Sequence, residues 1–568
     1  MKDELFARKR AGLLVPVFAM RHARDFGIGD THAVKDALDF CSRHSFDVLQ
    51  ILPIHDTFGD HSPYNPISSR ALAPALLTLE PSLVPGLSEE MIAQHAPSAW
   101  LEELRMGRVK HAAVRALKLE ILLAAAGAFL QSSDSDLEEE FTHFQAEHES
   151  WLKPYTLYRL LIREYDGNPN WFDWRPEHRT FTGAESWLAR HHAREKHELL
   201  RQGLAFTQWV GWRQWCEVRR HAERVGVRLM GEMSFGVGRC SADVWANQEL
   251  FDLDWNMGTP PLAWFDTNKD SERWGQNWGF PPYRWENHRS TDFQWLRNRL
   301  QWEHEFFHDC RLDHLRGYFR AYMFPWPGGA KHAEFANLAE EEVKVLTGGK
   351  LPRFVPGPDD HPISAGMNDL QGREIIGVMR EAADGMGLVA EIMGAMPDYI
   401  AKALDDLEIP NLTFPQLERN ADRSLRPPSK MRSLSLVSYA NHDHAPLAQL
   451  YPHLRRDALA DPESFHAIDL KHLLELVGWK KEPPEHLTDE LLAVFQRALF
   501  YLPCRLAVLM SSDLFGVPQR FNLPGSYGAD TWSERLEFPF EIYESHPEFG
   551  PKIQRVEEFI RESGRGHS

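Results

Sequence analysis

The stretch Arg311-Leu312-Asp313-His314-Leu315-Arg316-Gly317 decides how the rest of the chain reads. An apolar, strand-like approach leads into an aspartate set among two arginines and a histidine, and Gly317 then releases the chain into a loop. An aspartate at a strand end, held ionised by cations, suits a carboxylate nucleophile. Two acidic positions downstream sit in similar settings: Glu391 in Leu388-Val389-Ala390-Glu391-Ile392-Met393-Gly394, and Asp443 in Asn441-His442-Asp443-His444. Arg311 and Arg316 favour an ionised Asp313, whereas the apolar neighbours Ala390, Ile392 and Met393 are expected to raise the pKa of Glu391. One ionised carboxylate beside one protonated carboxyl group is the division of labour of a retaining glycoside mechanism.

Outward from this stretch, short apolar runs alternate with helical patterns, the signature of βα units on a parallel sheet. Candidate strands cover 13–19, 48–52, 227–232, 310–314, 388–392, 411–416, 433–439 and 504–511. Eight such units close a (β/α)8 barrel, an α/β TIM barrel whose functional groups gather at the C-terminal ends of the strands. Asp313, Glu391 and Asp443 fall at or just after strands four, five and seven of that set. The reading is one catalytic domain over 1–568. It carries a mainly helical insertion over about 75–205 and a loop-rich one over about 318–370, marked by Pro325-Trp326-Pro327-Gly328-Gly329 and Val355-Pro356-Gly357-Pro358. Within the helical insertion, Pro154 is expected to kink or split the segment from Leu137 to Tyr165. The last residues, Glu562 to Ser568, are expected to fray.

The 568 residues are ample for a large core, and the net charge of −19 argues against nucleic acid or an anionic membrane as partner. The 19 tryptophans read first as core packing and second as sugar-stacking surfaces. Five well-separated cysteines, Cys41, Cys216, Cys240, Cys310 and Cys504, without CxxC spacing, read as buried thiols in a reducing compartment. The basic run Arg8-Lys9-Arg10 before an apolar stretch superficially resembles a signal peptide. Pro16 interrupts the stretch and no convincing cleavage site follows, so it reads as a first strand and the chain as cytoplasmic. No apolar run approaches the roughly 20 residues of a membrane span.

Two aromatic loops suit sugar rings: His61-Ser62-Pro63-Tyr64-Asn65-Pro66, and the region holding Trp264, Phe265, Gln276, Asn277, Trp278 and Tyr283. An ordinary packed loop is the plainer reading of each. The His442-Asp443-His444 triplet raises a metal site, but adjacent residues rarely ligate one ion together, and no metal is expected. A GxSxG elbow, a P-loop and a dinucleotide fingerprint are not apparent.

Together these segments resemble the amylomaltases, the 4-α-glucanotransferases of glycoside hydrolase family 77. The resemblance runs through Phe26-Gly27-Ile28-Gly29-Asp30, Ser62-Pro63-Tyr64, Ser241-Ala242-Asp243-Val244-Trp245-Ala246, Gly275-Gln276-Asn277-Trp278-Gly279, the Asp313 segment, Val389-Ala390-Glu391, His442-Asp443 and Asn522-Leu523-Pro524-Gly525. The form Gln276-Asn277-Trp278-Gly279-Phe280-Pro281 is similar to the branch of the plant cytosolic disproportionating enzyme, here expected without that enzyme's N-terminal starch-binding modules. The resemblance implies Asp313 as nucleophile, Glu391 as acid/base and Asp443 as transition-state stabiliser. It implies assistance from Arg311, His314 and His442, and glucan contacts from Tyr64, Trp264, Gln276, Trp278 and Asn522. The implied reaction moves an α-1,4-glucan segment to the 4-hydroxyl of glucose or another glucan, without a cofactor. The alternatives are an α-glucan hydrolase on the same site and a catalytically silent glucan-binding protein. The chain departs from the family's usual residues at Ile392, Glu232, Ala263 and His444.

Overall fold

The computed structural model describes residues 4–59, 61–132, 134–261, 274–326, 338–392, 394, 396–420, 424–524 and 531–566. Twelve strands run through them: β1 (Arg10–Leu14), β2 (Val48–Gln50), β3 (Arg228–Met233), β4 (Trp255–Thr259), β5 (Gln276–Phe280), β6 (Asp309–Leu312), β7 (Ala321–Pro325), β8 (Arg353–Val355), β9 (Gly387–Ala390), β10 (Asn411–Thr413), β11 (Ser435–Val437) and β12 (Leu506–Met510). Eight of them close a parallel barrel in the order β1-β12-β11-β10-β9-β6-β3-β2, the expected (β/α)8 architecture. The expected first strand is displaced: it spans Arg10–Leu14, and Val17–Ala19 is a 3-10 helix. Pro16, which has no N–H to give the ladder, explains where the strand stops.

The helix after β1, Thr31–Arg43, begins at Asp30, whose side chain accepts from the His32 and Ala33 amides. Between β2 and β3 lie several helices, among them His111–Phe129, Ser135–Glu147, Glu149–Glu164 and Arg194–Val225. The expected break at Pro154 falls instead at His148. Pro154 is tolerated within the early part of Glu149–Glu164, forfeiting one backbone hydrogen bond. Trp174, Trp209, Trp215 and Trp245 are fully buried core residues.

A second sheet has the antiparallel order β5-β4-β7-β8. The span 318–370, read from sequence as rich in loops, thus contributes β7, β8 and the helix Glu340–Thr347. Residues 562–566 do not fray as expected. Arg565 is buried and donates to the carbonyls of Phe500, Leu502, Cys504, Arg505 and Arg10, tying the segment that follows the last helix beneath the barrel. Among the described residues no helix is long and apolar enough to cross a membrane.

Candidate active site

The C-terminal ends of β6, β9 and β11 bring Asp313, Glu391 and Asp443 to one mouth of the barrel. Arg311, the third residue of β6, is fully buried and links the first two. Its Nη2 lies 2.7 Å from Glu391 Oε1, and its Nη1 lies 3.7 Å from Asp313 Oδ1. The same Nη1 donates to Glu232 Oε1 on β3. Glu232 and Arg311 are register partners in adjacent strands, so the ladder itself sets this contact.

His314 adopts a left-handed backbone, φ 43°, which a residue other than glycine holds at a cost of order 1 kcal/mol. Its amide donates to Glu391 Oε2 at 2.9 Å. The His314 ring packs edge-on against Trp278 of β5 at 4.8 Å and against Phe235 at 5.2 Å, so the second sheet reaches the site. Gln276 lies on the same strand, two residues before Trp278. Trp264 lies outside the described residues.

The electrostatics invert the expectation drawn from sequence neighbours. Burial, with the Glu391 charge next, pushes the Asp313 carboxyl up to about 7, against the pull of Arg311 and the Phe235 amide. Burial would raise Glu391 too, but the Arg311 guanidinium and the His314 amide hold it below the usual carboxylate range. Arg316, expected to hold Asp313 ionised, turns instead toward Asp359 at 3.9 Å. The apolar neighbours of Glu391 in sequence do not set its environment, because Arg311 arrives from the adjacent strand.

Asp443 is held from three sides. Asn522 Nδ2 donates to its Oδ1 at 2.6 Å, His442 Nε2 lies 3.2 Å from its Oδ2, and its amide donates to Asn441 Oδ1 at 3.0 Å. Against burial, His442 and Asn522 hold its carboxyl well below the usual range. Tyr64 stacks on His442 at 5.0 Å, its hydroxyl 3.3 Å from His442 Nδ1, and both rings adjoin Trp532 at 5.6 Å. The His-Asp-His triplet is therefore spent on hydrogen bonds, with His444 Nδ1 2.6 Å from Asn441 Oδ1.

Reading the sequence missed Glu232, Phe235, Asn441, Arg520 and Trp532 as parts of this site. Arg520 brackets the loop by donating to the carbonyls of Asp443 and Asn522. Glu232 carried a usable signal, an acid following the apolar run Leu229-Met230-Gly231 near a strand end. The others act through backbone groups or contacts made across long stretches of chain. Among the described residues one trio, His453, Asp457 and His466, brings ligand-type atoms within 4.8 Å of one another. Arg456 already fills a cation's place there, 2.7 Å from His453 Nδ1 and 3.0 Å from Asp457 Oδ1.

The model of the 4-alpha-glucanotransferase family, glycoside hydrolase family 77, matches residues 15–540. This chain belongs to that family. A 4-alpha-glucanotransferase of Chlamydia pneumoniae is 26% identical over 557 residues, covering 96% of this chain and 94% of its own. One from Oryza sativa is 30% identical over 332 residues, covering 56% of this chain and 32% of its own. The amylomaltase of Streptococcus agalactiae, solved with acarbose, superposes with a TM-score of 0.74 at 18% identity, over 99% of this chain and all of that one. Family membership bears out the transferase expectation over hydrolysis or silent binding.

Proposed function

We propose that the chain transfers α-1,4-glucan segments by double displacement at the mouth of the barrel. The observation that carries this reading is the single guanidinium of Arg311 lying between Asp313 and Glu391, with Asp443 held separately by Asn522. In the first half-reaction an Asp313 oxygen attacks the anomeric carbon while Glu391 gives its proton to the departing glycosidic oxygen. The sugar is left bonded to Asp313. A 4-hydroxyl of glucose or a glucan then returns a proton to Glu391 and attacks the anomeric carbon, releasing Asp313 with net retention. Without substrate the proton leans toward Asp313, because burial and the Glu391 charge raise that carboxyl while Arg311, closer to Glu391, and the His314 amide lower the other. A glycosidic oxygen accepting from Glu391 draws that proton across and leaves Asp313 free to attack.

In this reading Asp443 stabilises the positive charge that develops on the sugar ring. Tyr64, Trp278 and Trp264 offer stacking faces, and Gln276, His314, His442, Arg311 and Asn522 offer hydrogen bonds. The donor is a maltooligosaccharide or another α-glucan, and neither a cofactor nor a metal takes part. The whole chain acts as one catalytic unit in the cytoplasm, where five free thiols are at home.

The test is product analysis after incubation with maltotriose, with and without added glucose. A ladder of longer and shorter maltooligosaccharides is the expected result. Glucose and maltose without longer products would replace transfer by hydrolysis, and no product from maltotriose or soluble starch would remove the catalytic reading.

A further inference from the structure

Glu232 is the carboxylate of the site that substrate cannot reach. It is fully buried on β3, and its Oε2 has no hydrogen-bond partner among the described residues. Its contact with Arg311 is fixed by strand register, and it takes the same Nη1 that lies nearest Asp313. A buried carboxylate with one oxygen unsatisfied costs folding free energy, and an apolar or amide side chain of like size would cost less. Its presence therefore asks for a role beyond packing.

The charge count supplies one. Arg311 is within ion-pair distance of Glu232, Asp313 and Glu391 together. The Asp313–Glu391 pair is also faced by His314 beyond β6, by Tyr64 from the loop after β2, and by Asp443 and His444 from the loop after β11, with His442 behind them against Asp443. One guanidinium offsets only one of three carboxylates, which favours keeping a proton within the group. Resting on the catalytic reading of that pair, we propose that Glu232 is a positioning residue: it spends part of the Arg311 charge and so keeps the shared proton on the Asp313–Glu391 pair at neutral pH. Remove the Glu232 charge, and the undivided guanidinium favours both carboxylates as anions. The proton then leaves at lower pH, and with it the general acid of the first half-reaction.

Glu232→Gln keeps an acceptor for Arg311 Nη1 and removes only the charge. Its expected signature is a shift of the alkaline limb of the kcat/KM profile for maltotriose toward acid by on the order of one pH unit. Glu232→Asp retains the charge on a shorter arm, so its limb stays at the wild-type position even where kcat falls. Glu232→Met, which removes charge and hydrogen bond together, shifts the limb in the same direction as Glu232→Gln and serves if the amide variant does not fold.

The same proton can be followed without any glucan. The rate at which a water-soluble carbodiimide labels Asp313, read by peptide mass spectrometry, falls as pH passes the pKa of that carboxyl. That midpoint moves to lower pH in Glu232→Gln. A limb and a labelling midpoint that stay at the wild-type position in both charge-removing variants would overturn the proposal. So would equal losses in Glu232→Gln and Glu232→Asp with no shift in either, the mark of a structural role alone. If the wild type makes no transfer product while the labelling midpoint still moves, the catalytic reading fails and the electrostatic role of Glu232 stands.

Discussion

The two ends of the barrel both hold buried charge, and they treat it in opposite ways. At the N-terminal end each buried acid is paired with at least one arginine, Arg228 reaching Glu4 as well. Asp309 takes Arg228 in a two-pronged pair at 2.8 Å, and Asp47 takes Arg8, Arg10 at 3.7 Å and the amides of Ala11 and Gly566. Arg565 closes this end by filling the carbonyls around it. At the C-terminal end Glu232, Asp313 and Glu391 crowd one Arg311, and Asp443 relies on an amide and a histidine. At the first end cations stand against the acids, as stability requires, although burial still raises the Asp309 carboxyl above its usual range. At the second, burial and then the Glu391 charge, only partly offset by the shared Arg311, raise Asp313 to about 7 and keep a proton available for chemistry. Substitutions at one end should therefore cost folding, and at the other, turnover.

The largest expected effect is at Asp313. Asp313→Asn should lower transfer from maltotriose at least about a thousandfold while leaving the fold intact. It should also stabilise the protein. The folded carboxyl has a raised pKa, so its contribution to stability is fully present only below the unfolded value near 3.8 and is lost as pH rises through about 7. The variant escapes that loss, so its advantage in urea unfolding should grow between those two pH values and then level off. Near-normal transfer in the variant would defeat the nucleophile assignment, and a stability gain independent of pH would defeat the electrostatic account.

Asp309 gives the opposite outcome. Asp309→Ala takes two hydrogen bonds from Arg228, which is 15% exposed and keeps Glu4 and the His308 carbonyl, and leaves a buried void; it should cost about 3 kcal/mol of unfolding free energy. The rate of transfer per folded molecule should stay at the wild-type value. A loss of turnover without a loss of stability would erase the division between the two ends.

How much of this was legible follows from the range of each signal. The barrel strands announce themselves as short apolar runs, because strands covered on both faces carry apolar residues throughout. The three acids announce themselves because a strand end is where a polar residue interrupts such a run. Partners were not legible. Arg316 stands three residues from Asp313 and serves Asp359, while Arg311 reaches Glu391 across a ladder of distant sequence positions. The second sheet was lost for a related reason: β4 and β5 come from the span between β3 and β6, and β7 and β8 from the span after it. No local run marks strands that pair only once the barrel has brought two insertions together. Arg565 looked like part of a polar tail because only the folded chain offers it five carbonyls.

The finest test of the contrast lies in Tyr64, which supports the charged end without carrying charge at neutral pH. Its ring stacks on His442 at 5.0 Å, and its hydroxyl meets His442 Nδ1 at 3.3 Å, while His442 Nε2 faces Asp443. Tyr64→Phe keeps the ring and removes only the hydroxyl. One hydrogen bond is worth about 1 kcal/mol net, which is roughly a fivefold change in rate. The loss should fall on kcat, because His442 then holds Asp443 less firmly when charge develops on the sugar, and KM should hold because the stacking face remains. Tyr64→Ala should add a rise in KM. If Tyr64→Phe raises KM and spares kcat, the hydroxyl serves the glucan directly, and the chain of contacts from Tyr64 through His442 to Asp443 does not act in the reaction.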